Sequence, residues 1–159
     1  MRHSTCHIGS CTRHSEILYG DVSSVQCDGN KQIPPGLKND YRPYLYCKNK
    51  KSSLLVDSGA QLCVVPRDPK IHKEIDPGIR IKGANNKPIP VYAIHRCTFR
   101  FREQTMRWLV LACDIDTAIL GADFIDHFGI GILFHNHTFC IPGPNGQVQE
   151  LAPFAARKS

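Results

Sequence analysis

In the stretch SSLLVDSGAQLCVVP, residues 52–66, Asp57 stands at the end of one apolar run and just ahead of another. Leu54, Leu55 and Val56 lead up to it, and Leu62, Cys63, Val64 and Val65 follow the small residues Ser58, Gly59 and Ala60. An ionised carboxylate so placed is partly desolvated, which is costly unless the site has a use for it, and this makes Asp57 a candidate proton-transfer group. Gly59 suits a tight loop whose backbone comes close to a bound chain. A second acid, Asp123, closes the segment Ala118-Ile119-Leu120-Gly121-Ala122-Asp123. It is expected to cap a short helix rather than to act as a second catalytic acid. The group Cys6, His7, Cys11 and His14 has none of the usual zinc-ligand spacings, so neither a metal nor any other cofactor is expected.

The elements that would position Asp57 are mostly strands. YLYC (44–47) and SLLVD (53–57) flank a Lys/Asn/Ser turn and predict a hairpin. IRIKGANNKPIPVY (79–92) predicts a second hairpin with a mobile tip at Gly83-Ala84-Asn85-Asn86. In CTFRFRE (97–103) Cys97, Phe99 and Phe101 alternate with Thr98, Arg100 and Arg102, the pattern of a half-buried strand with a solvated arginine face. MRWLVLACDI (106–115) reads as a more fully buried strand, and TAILG (117–121) as a short one. ADFIDHFG (122–129) reads as one or two helical turns closed by Gly129. IGILF and TFCIP (130–134 and 138–142) form a last hairpin around His135-Asn136-His137. His127, His135 and His137 are expected to be exposed.

Residues 1–42 are polar, contain Pro34-Pro35-Gly36, and read as a flexible leader; 143–159, rich in Gly, Pro, Gln and Ala, read as a disordered tail. That leaves one domain over 43–142. The composition is globular, with 42% hydrophobic and 21% charged residues among 159. No apolar run reaches membrane-spanning length and the N-terminus has no hydrophobic signal core, so the expected location is the cytoplasm. Net charge is +6, and eight of the 20 Lys and Arg precede Leu54 against four acids. That bias permits weak nucleic-acid contact by the leader, although the simpler reading is a solvated face with a basic tail. The eight cysteines include no C-x-x-C pair and are read as free, mostly buried thiols.

The ordered set of apolar strand, Asp57-Ser58-Gly59-Ala60, apolar strand, Gly-containing hairpin, amphipathic strand, Ile119-Leu120-Gly121-Ala122-Asp123 and short helix resembles the retropepsins. These are the aspartic proteases of retroviruses and LTR retrotransposons, encoded within a Gag-Pol polyprotein. The resemblance covers roughly Tyr44 to Ile141. It implies an all-β, closed acid-protease barrel with one short helix, active as a symmetric homodimer on polypeptide substrates, in a retroelement particle where there is one. Asp57 would be the catalytic residue, supported by Ser58, Gly59 and Ala60. Ser58 would hydrogen-bond across the dimer, Gly83, Ala84 and Asn85 would form a substrate-covering flap, and Ile119, Leu120 and Gly121 would pack behind the catalytic loop. Hydrolysis by this route needs two carboxylates sharing a proton, and the chain has a single D-S-G triplet, so a second copy must supply the other. Gln61 and Ala122 stand where many retroviral members carry an aspartate and an arginine, a departure found in retrotransposon members. Two function classes follow: an active endopeptidase, or a catalytically inactive remnant or domesticated module used for dimerisation or binding.

Overall fold

The computed structural model describes residues 41–156. The expectations for residues 1–40, including the greater part of the leader, its nucleic-acid contact and the Cys6/His7/Cys11/His14 group, lie outside the described residues. Strand β1 (Tyr44–Cys47) folds back on β2 (Ser52–Val56) through a turn in which Lys51 takes a positive φ of 52°. Strand β3 (Val64–Pro66) follows the Asp57 loop, and β4 (Ile81–Lys82) and β5 (Pro88–Ile89) make a small hairpin. The longest hairpin joins β6 (Val91–Phe101) to β7 (Gln104–Cys113). Strand β8 (Ile119–Leu120) leads into helix α1 (Ala122–Phe128), which Gly129 ends in the left-handed conformation at φ 66°, as expected from its sequence. Strands β9 (Gly131–Leu133), β10 (Thr138–Pro142) and β11 (Val148–Pro153) complete the chain.

Six strands form one sheet in the order β1-β2-β8-β3-β7-β6, and β11-β10-β9 form a second. Most neighbours are antiparallel hairpins, but β2 with β8 and β3 with β7 run parallel. These parallel pairs bring the two segments flanking Asp57 into the middle of the sheet. Alternation along β6 is as the sequence predicts: Phe99 and Phe101 are wholly buried while Arg100 and Arg102 are exposed. Phe124 of α1 meets both rings edge-on at 6.0 and 6.2 Å, which fixes the helix over the β6–β7 hairpin. A smaller apolar cluster of Ile81, Val91, Leu111 and Cys113 ties the β4–β5 hairpin to Leu62 and Val64.

The C-terminal segment corrects the sequence reading. Residues 148–153 are not a disordered tail but a strand paired along β10, with Leu151 and Ala152 buried in the main core. Beyond it, Ala155 bridges to Tyr44 and Ser53 Oγ donates to the Ala156 carbonyl at 2.9 Å. The packed structure therefore continues past Pro142, through Ala155 and Ala156. All described cysteines are free, and Cys47, Cys63, Cys97 and Cys113 are buried.

Candidate active site

Asp57 leaves β2 at the point where the parallel partner β8 also ends, and its N–H donates to the Leu120 carbonyl at 3.0 Å. The chain then turns tightly: Ala60 N–H donates to the Asp57 carbonyl at 3.1 Å, and Gly59 N–H to Asp57 Oδ1 at 2.9 Å. Small residues at 58–60 permit this turn, and Gly59 is buried within it. Desolvation pushes the Asp57 carboxyl above its ordinary range, against the opposing pull of the Gly59 and Ala60 backbone donors. A half-buried carboxyl with a raised pKa and fixed orientation can exchange a proton with a bound water. Ser58 is exposed at the outside of the turn.

The second motif lies directly behind this loop. Ala122 N–H donates to the Ala60 carbonyl at 2.7 Å and Asp123 N–H to the Gln61 carbonyl at 3.2 Å. Gly121 is required by proximity rather than by φ. A Cβ there would stand 2.7 Å from the Leu62 oxygen and 2.8 Å from the Ala60 oxygen, both backbone atoms. Ile119 and Leu120 are buried beside Val56 and Val64. The structure thus brings Asp57–Ala60 and Ile119–Gly121 together, and main-chain bonds from Ala122 and Asp123 join the segments without the aspartate–arginine pair whose positions Gln61 and Ala122 occupy.

Asp123 departs from the expected cap. Gly121 is the N-cap residue and makes no side-chain cap bond. The Asp123 carboxylate instead accepts from Trp108 Nε1 at 2.7 Å, Cys63 Sγ at 3.3 Å and Phe124 N–H at 2.8 Å. Spacing along the chain gave no sign of this, because Cys63 reaches Asp123 through the packing of the 60–63 loop on the 121–123 segment and Trp108 reaches it from β7. Burial, with Asp123 adding to it, pushes the Cys63 thiol strongly up, so it stands as a neutral S–H donor.

The β4–β5 hairpin is present, with its turn closed by Gly83 N–H to Lys87 O at 2.8 Å and Asn86 N–H to Gly83 O at 3.0 Å. The residue that takes the positive φ is Asn86, at 64°, not Gly83. Gly83 is buried, and a Cβ there would lie 3.1 Å from Ile89 Cδ1; Ala84 is buried and Asn85 exposed. His127, His135 and His137 are exposed, and the His127 ring lies tilted against Trp108 with centroids 4.5 Å apart.

No protein-family model and no curated protein matches the chain. Among solved structures it is similar to the retroviral protease-like domain of Ddi1 from Leishmania major, with a TM-score of 0.50 and 16% identity over 71% of this chain and 96% of that one. It also aligns with the EIAV protease complexed with the inhibitor HBY-793, with a TM-score of 0.46 and 19% identity over 64% and 99% of the two chains. The fold is retropepsin-like.

Proposed function

We propose that, on this retropepsin-like fold, the chain is an aspartic endopeptidase whose active centre forms when two copies bring their Asp57 carboxyls together. The observation that carries the reading is Asp57 itself: a desolvated carboxyl held by Gly59 N–H on a loop backed by Ile119-Leu120-Gly121. In the dimer one carboxyl would be ionised and the other protonated, since two negative charges so close cannot both persist. The ionised Asp57 takes a proton from a bound water, whose oxygen bonds to the peptide carbonyl carbon. The partner's Asp57 gives its proton to the carbonyl oxygen, leaving a neutral gem-diol. Proton transfer to the amide nitrogen then lets the C–N bond break, giving a carboxyl and an amine terminus. The substrate would lie extended between the Asp57 loops and the β4–β5 hairpin, Gly83-Ala84-Asn85 covering it, with main-chain hydrogen bonds for affinity and side-chain pockets for selectivity. A retroelement polyprotein is the substrate this reading favours.

The second copy would pair through the three-stranded sheet. β10 is covered on both sides by β9 and β11, so the edges open to a partner are those of β9 and β11. Exposed Phe134 and Val148 lie beside these edges. The test is cleavage of a peptide library by the purified chain, with and without pepstatin, alongside Asp57→Asn. Loss of cleavage in a folded Asp57→Asn is the expected outcome. Cleavage at the wild-type rate in that variant would overturn the protease reading, and a folded wild-type dimer that cleaves nothing would instead support a non-catalytic dimerisation module.

A further inference from the structure

We propose that Asp123 is a positioning residue that holds the catalytic loop in register through Cys63, with Trp108 fixing the carboxylate from the other side. This inference rests on the protease reading for its consequence, but its geometry stands without it. The Asp123 carboxylate joins three separate chain segments: Cys63 on the loop that follows Asp57, Trp108 on β7, and its own position and Phe124 N–H at the start of α1. Cys63 Sγ in turn accepts from Gly121 N–H at 3.3 Å, so thiol and carboxylate form a closed link between the 60–63 and 121–123 segments. That link continues the main-chain bonds from Ala122 to Ala60 and from Asp123 to Gln61. Ala60 follows Gly59, whose N–H holds Asp57 Oδ1. A shift at Cys63 is therefore passed along three residues to the carboxyl that performs proton transfer.

Packing does not do this job alone. Leu62, Cys63, Trp108 and Asp123 line an open, largely apolar groove of about 500 Å³ together with Ile94 and Leu109. Cys63 is 1% exposed and packs in the main core while Asp123 is half-buried, so packing confines the thiol and the directed hydrogen bonds orient it toward the carboxylate. Displacements well below 1 Å matter to a proton-transfer geometry, whereas they cost a fold little.

Four variants separate position from stability. Cys63→Ala removes donor and acceptor, Cys63→Ser keeps both, Trp108→Phe removes the indole donor and part of the ring area while keeping an aromatic ring against Phe124, and Asp123→Ala removes the hub. Cys63→Ala and Trp108→Phe should each lower kcat about ten-fold with KM held within about two-fold, and Cys63→Ser should recover most of the loss. Wild-type kcat in both Cys63→Ala and Trp108→Phe overturns the proposal, as does an equal loss in Cys63→Ser. If Asp123→Ala does not fold, these other three decide the matter. Amide hydrogen exchange supplies a readout independent of activity. Gly59 and Ala60 should exchange faster in Cys63→Ala than in the wild type and in Cys63→Ser, and unchanged exchange overturns the brace. Should the wild type prove unable to cleave any peptide, the protease reading fails while the exchange result still judges the brace.

Discussion

Burial of the Asp57 carboxyl makes folding stability sensitive to pH in a definite direction. Its pKa is raised in the folded chain by desolvation, so the folded state binds the proton more tightly than the unfolded state does. The stabilisation this gives is fully present below the unfolded carboxyl's pKa and is lost as pH rises through the higher folded value. Asp57→Asn, neutral at every pH, should therefore match or exceed the wild type's Tm at pH 7, with the gap closing as the pH falls through the folded value. Thermal melts of both proteins across that range check this. A variant less stable at neutral pH would mean that the Gly59 and Ala60 donors outweigh desolvation. Gly121 is a purely steric case. Because its Cβ position faces the backbone oxygens of Leu62 and Ala60 at 2.7 and 2.8 Å, Gly121→Ala must push the catalytic loop away. The expected cost is about 1–3 kcal/mol with reduced cleavage, measured by denaturant melts and peptide turnover.

At the level of elements, β11 makes the strongest prediction. Leu151 and Ala152 are 2% and 6% exposed, and β11 covers one edge of β10. Leu151→Ala should cost about 2–5 kcal/mol, and a chain ending at Pro142 should fold poorly and aggregate through the uncovered strand. A soluble, cooperatively melting 41–142 fragment would show β11 to be an accessory. This is also where legibility in the sequence ran out. The β1–β2 and β9–β10 hairpins, α1 and the 97–101 half of β6 could be read because each carries a local signal, such as alternation at Phe99 and Phe101 or Gly129 after a helical turn, whereas the extension of β6 back to Val91 and its pairing along β7 carried none. In QVQELAP the exposed residues outnumber the buried ones and Gly and Pro surround them, so composition hid a strand that only β10 explains. Asp57 and the Ile119-Leu120-Gly121 segment were legible as motifs. The carboxylate contacts of Asp123 were not, because its partners Cys63 and Trp108 are distant in sequence. Within the Gly83-Ala84-Asn85-Asn86 tip it is Asn86 that takes the positive φ, which a glycine in the same turn does not announce.

For the whole molecule, the proposed chemistry is incomplete in one chain, and assembly becomes a measurable part of activity. Specific activity should fall on dilution as copies separate. Mixing wild type with an equal amount of Asp57→Asn under exchanging conditions should leave roughly a quarter of the dimers with both carboxyls, below the half expected of independent monomers. The pH–rate profile should peak below neutrality, because the singly protonated pair exists only between its two apparent pKa values. A monomer by sedimentation that keeps its specific activity at nanomolar concentration would contradict the shared-centre reading.

The clasp of Ala155 on Tyr44, with Ser53 Oγ on the Ala156 carbonyl, means that chain enters and leaves this domain side by side. A domain with adjoining entry and exit hangs from a longer polypeptide as from a single point of attachment. It could sit within a larger protein without prising apart what flanks it, and a cut on either side would free it without disturbing its sheets.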